Sequence, residues 1–218
     1  MNLFRILHRM AWGMAHKRML SGVAVGVFMA SEGREDALAK VGQALALLQE
    51  LSPRRFARLR RDVGRVLVFG TGAAPALWHE ALGTCELNRR SVADPDVSPA
   101  VIACLLAHEA MHARLCRLGF TYGEHERVRV ERACYRAQRA FARRLPEPER
   151  GRLVSWAEEG LAALEHWPGH WGDAARLSAD LESFRRQGVP PWLLRVMERL
   201  TGWRLARAER QRQRQVER

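Results

Sequence analysis

The sequence has very little lysine, few aromatic residues and no apolar run long enough to cross a bilayer. Lys17 and Lys40 are its only lysines, so arginine provides nearly all of the formal net charge of +12. A charge of this sign could attract nucleic acid or an acidic membrane surface. However, no nucleic-acid-binding motif occurs with its expected spacing, and arginine is spread along the whole chain. We therefore interpret the charge as a generally basic surface and do not expect a nucleic-acid partner.

The chain also lacks the closely paired cysteines that form zinc ribbons or redox motifs. Its four cysteines are widely separated, and a chain of 218 residues needs no disulfide cross-links to fold. We therefore predict free thiols in a reducing compartment. This favours a cytoplasmic protein, with a membrane-associated location as the alternative.

The most apolar stretch, residues 19–30, is the candidate for a membrane segment. Its twelve residues are fewer than the roughly 20 that a helix needs to cross a bilayer. Two features disfavour a signal peptide. The basic region before the apolar stretch is too long, and Phe28 would lie where a signal-peptide cleavage site has a small residue. We expect a segment that is buried or touches a membrane, and a signal anchor is the alternative.

The distribution of apolar residues divides the chain into three parts. Residues 1–33 form a basic and apolar N-terminal segment that could lie on a membrane or pack as an arm. Residues 34–206 are expected to form one domain, with a metal-binding core at about 65–145 and C-terminal helices over 149–206. Residues 207–218 form a polar tail.

Periodicity and capping signals predict a mainly helical α+β domain with a small sheet. The predicted strands are residues 65–69 and the polar residues 84–92, which alternate as an edge strand would. The clearest helix begins at Ser98 and Pro99, an N-cap followed by proline in the first turn, and stops at Gly119. The other helices are predicted over 34–51, 53–62, 124–145, 149–166, 174–187 and 191–206.

The clearest helix contains the sequence His108-Glu109-Ala110-Met111-His112. Histidines four residues apart lie on one helix face, so both imidazoles can bind a single ion. The glutamate beside the first histidine points to the side, where it can reach a water that the metal activates. A single histidine on an apolar stripe is usually a packed core residue. Two at this spacing, with Glu109 between them, favour a zinc site.

A catalytic zinc site needs a third protein ligand and an open position for water. The best candidate is Glu131, which lies 19 residues after His112 on an apolar helix face. A carboxylate on such a face is costly unless it is paired, and a metal ion would neutralise it. Pairing with one of the arginines is the alternative for Glu131, and Cys116 or Cys134 could also reach the ion.

The string LLAHEAMHARL, followed by a loop and a helix with Glu131, resembles the gluzincin branch of the zincin metallopeptidases. The resemblance covers about residues 65–145, and the overall form is similar to compact, uncharacterised bacterial metallopeptidases. It implies a zincin-like core in which a small sheet packs on the HExxH helix, with zinc bound by His108, His112 and Glu131. It also implies an edge strand that pairs with an extended substrate. Larger gluzincins often place an acidic residue a few positions later to hold a zinc-binding histidine, and this sequence lacks it.

The resemblance implies a zinc-dependent metallopeptidase that hydrolyses peptide or protein substrates through a metal-activated water. Glu109 would act as the general base and then deliver the proton to the leaving amine. Tyr135, one turn after Glu131, is the candidate for stabilising the oxyanion. The alternatives for this role are Tyr122, His125, His166 and His170.

A second class of function competes with the peptidase. The chain could be a regulatory or binding protein that keeps a zincin fold without turnover, associated with a membrane or with nucleic acid through its basic ends. The presence of Glu109 argues against this, because degenerate sites commonly lose that residue first. The Trp/His-rich stretch at 166–172 could form a lid, although a capped turn between two helices fits it equally well.

Overall fold

The computed structural model describes residues 3–29, 31–69, 74–120, 122 and 124–166, together with seven isolated positions between 181 and 199. The chain divides into two compact units, residues 1–70 with 74–166, and residues 71–73 with 167–218. In the second unit the seven described positions are helical. The predicted Trp/His-rich loop beyond His166, most of the two predicted C-terminal helices and the polar tail lie outside the described residues.

A five-stranded mixed sheet lies at the centre of the first unit. Its strands are β1 (His16–Leu20), β2 (Val23–Val27), β3 (Arg65–Val68), β4 (Ala76–His79) and β5 (Thr84–Leu87). Their spatial order is β1-β2-β3-β5-β4. The three inner strands run parallel, and β1 and β4 pair antiparallel at the two ends.

The described residues of this unit also form seven α-helices. They are α1 (Leu3–Met14), α2 (Arg34–Leu51), α3 (Pro53–Asp62), α4 (Arg89–Ala93), α5 (Pro99–Arg117), α6 (Glu124–Ala142) and α7 (Glu149–His166). The predicted fold class, a predominantly helical α+β protein with a small sheet, is confirmed. Among the described residues, no helix combines the length and the apolarity that crossing a membrane requires.

The two faces of the sheet contact different helices because side chains alternate along each strand. Val66 and Val68 of β3 point into the main core, which α2 and α5 also enter. Leu67 points the other way and packs with Ala11 and Ala15, so that α1 covers the opposite face. The sheet therefore separates the HExxH helix from the N-terminal helix.

Residues 16–27, which the sequence analysis set apart with residues 1–33, provide two of the five strands. Residues 23–27 of the apolar stretch form strand β2, of which four of the five residues are buried. Ser21 and Gly22 connect β1 to β2 with positive φ angles of 50° and 76°. This left-handed turn fits the right-handed twist of a hairpin, and glycine adopts it without strain.

The prediction of an edge strand at 84–92 is wrong about where the strand ends and about its place in the sheet. It ends at Leu87, because the Asn88 side chain accepts a hydrogen bond at 3.0 Å from the backbone N–H of Arg90 and caps α4. β5 also lies between β3 and β4, and all four of its residues are buried. The edge strand next to β5 is β4, whose four residues are too few to show an alternating pattern.

Candidate metal centre

Helix α5 places both histidines of the HExxH sequence together, as predicted. Its first turn is fixed by Ser98, whose hydroxyl accepts from the backbone N–H of Val101 at 3.4 Å, with Pro99 next in the chain. One turn separates His108 from His112, and their ring centroids lie 5.1 Å apart. Each side chain is about one-tenth exposed, so the pair lies at the bottom of a nearly closed site.

Glu131 on α6 meets both histidines. Its Oε2 lies 3.2 Å from His108 Nε2 and 3.6 Å from His112 Nε2. Ligands at about 2.0–2.1 Å in a tetrahedral zinc site stand roughly 3.3 Å from one another. Glu131 Oε2 therefore lies close to ligand spacing from both imidazoles, whereas the group whose donor atoms all lie within 4.8 Å of one another is His108, His112 and Cys134.

Cys134 competes with Glu131 as the third ligand. Its Sγ lies within 4.8 Å of one nitrogen from each histidine, and the thiol is buried one turn after Glu131. Burial raises the pKa of this thiol well above its ordinary value, and the charges of Glu131 and Glu109 raise it further. For Glu131, burial alone would raise the pKa, but hydrogen bonds with His108 and His112 outweigh it and lower the pKa. The geometry therefore favours the carboxylate, which contacts both nitrogens directly.

Cys116, the other thiol considered from the sequence, lies on the last turn of α5. Burial, followed by Glu80 just after β4, raises the pKa of its thiol. It is not part of the metal-ligand groups found among the described residues.

Gln138 hydrogen-bonds with His108 on the side of the ring opposite Glu131. Its Oε1 lies 3.1 Å from His108 Nδ1, and the Gln138 side chain is almost fully buried. With Nδ1–H donated to this carbonyl oxygen, Nε2 is the nitrogen that faces Glu131. Gln138 thus orients a candidate ligand histidine. In larger gluzincins an acidic residue often has this role, and this sequence lacks that residue. The donor set of two imidazoles and a carboxylate, with an outer partner on one imidazole, fits zinc.

Two tyrosines enclose the site from different sides. The Tyr122 hydroxyl donates a hydrogen bond to Glu131 Oε1, the carboxylate oxygen that the histidines leave open. Its ring meets His112 edge-on at 5.2 Å. Tyr135 instead packs edge-on against His108, with ring centroids 4.8 Å apart. Burial, followed by the charges of Glu131 and Glu109, raises the pKa of Tyr135 to about 12.

The remaining candidates from the sequence are less well placed or not described. His166 Nδ1 contacts the carbonyl oxygen of Ala162 in its own helix at 2.8 Å. The side chain of His125 and all of His170 lie outside the described residues. Tyr122 was only an alternative in the sequence analysis, because nothing in a loop residue indicates that its hydroxyl reaches Glu131.

Glu109 is buried among the groups of this site. Only 5% of its surface is exposed, although it is a carboxylate on a helix that enters the main core. Burial alone would lower the pKa of His108, but the hydrogen bond that its imidazole donates to Glu131 and the charge of Glu109 outweigh burial and raise the pKa. A buried carboxylate whose charge acts on His108 can accept a proton from a reactant held there.

No protein-family model, curated protein or solved structure matches this chain. The case for the site therefore depends on the identity of its residues and on their geometry.

Proposed function

We propose that this protein is a zinc-dependent metallopeptidase with a gluzincin-type site formed by His108, His112 and Glu131. One observation supports it most strongly. A single oxygen of Glu131 lies at ligand spacing from an imidazole nitrogen of each histidine, at 3.2 and 3.6 Å. A structural ion pair needs only one histidine and a carboxylate, whereas the convergence of three donor atoms is the arrangement of a metal site.

Bound zinc would supply Lewis acidity, polarising a carbonyl oxygen and making a water molecule acidic near neutral pH. Glu109 accepts the proton from that water and delivers it to the leaving amine. Its burial places this carboxylate inside the site and away from bulk water. Tyr135 remains the proposed oxyanion donor, since a phenol with a pKa of about 12 keeps its proton at neutral pH.

The edge strand β4 is the proposed contact for an extended substrate. β4 is the last strand in the order and pairs only with β5 among the described strands. It packs against α5, the helix that bears both histidines. Backbone pairing with an exposed sheet edge is a general way to hold a peptide in an extended form. A peptide on β4 would thus run alongside the metal ligands, which favours peptides as the substrate class.

Metal content and peptide hydrolysis of the full chain test this function together. The wild type should bind zinc at this site and hydrolyse a mixed peptide library, and Glu131→Ala should lose both properties. Glu109→Gln should keep the metal and lose about 10²–10⁴-fold in rate, the usual contribution of a general base. The exposed Glu50→Gln is the matched control, and it should behave as the wild type does.

The outcomes separate the peptidase from the binding protein. Zinc that is bound at His108 and His112 without hydrolysis of any peptide would favour a zinc-binding protein without turnover. Metal that persists undiminished in Glu131→Ala would refute the ligand assignment. Absence of metal from this site in the wild type would refute the function itself.

A further inference from the structure

A second group of two histidines and a glutamate lies on the other face of the sheet. His8 comes from α1, His79 ends the edge strand β4, and Glu86 belongs to the neighbouring strand β5. Glu86 follows Cys85, which points into the main core, so strand alternation turns Glu86 toward α1. The three residues are far apart in the sequence, and only the strand order and the position of α1 bring them together.

The donor atoms of this group converge on one point. His8 Nε2 lies 2.7 Å and His79 Nε2 lies 2.9 Å from the same carboxylate oxygen, Glu86 Oε2. A ligand atom from each of the three residues lies within 4.8 Å of the other two. If the histidines only neutralised the carboxylate, each oxygen could accept from one of them. Convergence on Oε2 is the same pattern that Glu131 makes with its two histidines.

The side chains of this group are largely shielded from solvent. His8 is 2% exposed and Glu86 is 8% exposed. The His8 ring also packs edge-on against Phe69, with centroids 5.4 Å apart. A buried carboxylate is costly without compensation, and imidazole nitrogens with a carboxylate are the preferred donors for zinc-like ions. For Glu86, burial alone would raise the pKa, but hydrogen bonds from His79 and His8 outweigh it and lower the pKa, so the group is held as an anion.

We propose that His8, His79 and Glu86 form a second, separate binding site for a divalent zinc-like cation. Its ligands come from α1 and from both strands at the β4 edge, so the ion would fasten the N-terminal helix to the sheet. The nitrogen–oxygen distances of 2.7 and 2.9 Å are shorter than the roughly 3.3 Å between ligands of a tetrahedral zinc ion. Binding therefore requires the ligands to move apart by a few tenths of an ångström, and it is weaker than binding at His108 and His112.

Zinc titration of the metal-free full chain tests the second site. The wild type should bind two equivalents, the second more weakly than the first. The double variant His112→Ala/Glu131→Ala removes the first site and should still bind one equivalent, with a rise in Tm on addition of zinc. Adding His79→Ala to that background should abolish both the binding and the rise in Tm.

His16→Ala in the same background is the matched control, because His16 also lies near a glutamate, 3.5 Å from Glu35, but at the surface. It should leave binding unchanged. If His79→Ala does not fold, Glu86→Gln replaces it, since the amide keeps the shape of the carboxylate and removes its charge. Loss of all zinc in His112→Ala/Glu131→Ala would overturn the second site, as would binding that survives both His79→Ala and Glu86→Gln.

The same titration distinguishes this proposal from the peptidase. If the wild type binds one equivalent that disappears in His112→Ala/Glu131→Ala, the second site is refuted and the first stands. If the wild type binds one equivalent that survives in His112→Ala/Glu131→Ala and disappears when His79→Ala is added, the second site stands and the proposed function fails.

Discussion

Two clusters of two histidines and a glutamate lie on opposite faces of the same small sheet, and they differ in how their ligands are held. At the first cluster, one helix supplies both His108 and His112, and a single further helix supplies Glu131. At the second, His8, His79 and Glu86 come from three separate elements. The helical spacing keeps the first pair of imidazoles apart, whereas the second cluster can contract to hydrogen-bond distance.

The difference also extends to the groups around each cluster. Gln138 orients His108, Tyr122 occupies the outer oxygen of Glu131, and the carboxylate of Glu109 is buried beside them. Around Glu86, the metal-ligand group found among the described residues consists of this carboxylate and two histidines. The comparison indicates that donor identity alone does not make a catalytic centre. A preset ligand spacing and a nearby base are also needed, and only the first cluster has both.

The largest expected effect concerns the third ligand of the first cluster. Glu131→Ala should lower zinc affinity there by more than about 100-fold, since losing a direct ligand exceeds the 10–100-fold typical of outer partners. Cys134→Ala, its matched partner one turn later, should change the affinity by less than about tenfold. Competition with a chromophoric chelator measures both. If Cys134→Ala lowered zinc affinity more than Glu131→Ala, Cys134 would be the third ligand. The first cluster would then no longer share two histidines and a glutamate with the second.

The next largest effect tests the support of His108. Gln138→Leu should lower zinc affinity at the first cluster about 10–100-fold, because the imidazole loses the acceptor that fixes its tautomer. Gln138→Glu keeps an acceptor oxygen at that position and should retain most of the affinity. The exposed Gln49→Leu serves as a control for the substitution itself. Equal affinities for Gln138→Leu and the wild type would show that the spacing of the helix alone holds His108.

A smaller effect is expected from the packing behind the first cluster. The Tyr135 ring lies directly against Gly160 of α7, where an added methyl group would overlap it. Gly160→Ala should therefore displace Tyr135 and lower the free energy of unfolding by about 1–3 kcal/mol, as overpacking usually does. Gly13→Ala, where nothing lies within 4 Å, should cause no such loss. Denaturant unfolding of both variants measures the difference.

For a change of one pH unit, the smallest predicted effect is the dependence of zinc affinity on pH. Burial would lower the pKa of His108, but the hydrogen bond that His108 donates to Glu131 and the charge of Glu109 outweigh it and raise the pKa. Zinc binds the neutral imidazole, so affinity at the first cluster should rise about tenfold per pH unit while that proton is still bound. Because the pKa is raised, the increase should continue above the ordinary histidine value of about 6.5. Calorimetry between pH 6 and pH 8 would contradict this if the affinity did not change.

Much of the helical framework could be predicted because its signals are local. Ser98, Pro99 and Gly119 mark the ends of α5, and the apolar spacing predicted α2 at its observed bounds. The sheet was predicted poorly. β4 has only four residues, and Asn88 ends β5 through a cap that an alternating pattern does not show. The strands β1 and β2 were missed because a basic and an apolar stretch together resemble a membrane-contacting segment.

By itself, the sequence predicted the fold class and the helix with His108 and His112, and it nominated Glu131 as a third ligand, with arginine pairing or a cysteine ligand left open. These follow from helical periodicity, in which residues three or four apart share a face. Only the tertiary structure decided that Gln138 and Tyr122 complete the first cluster, and that His8 meets His79 and Glu86. Those contacts depend on strand order and on which face α1 covers, and no spacing along the chain encodes either.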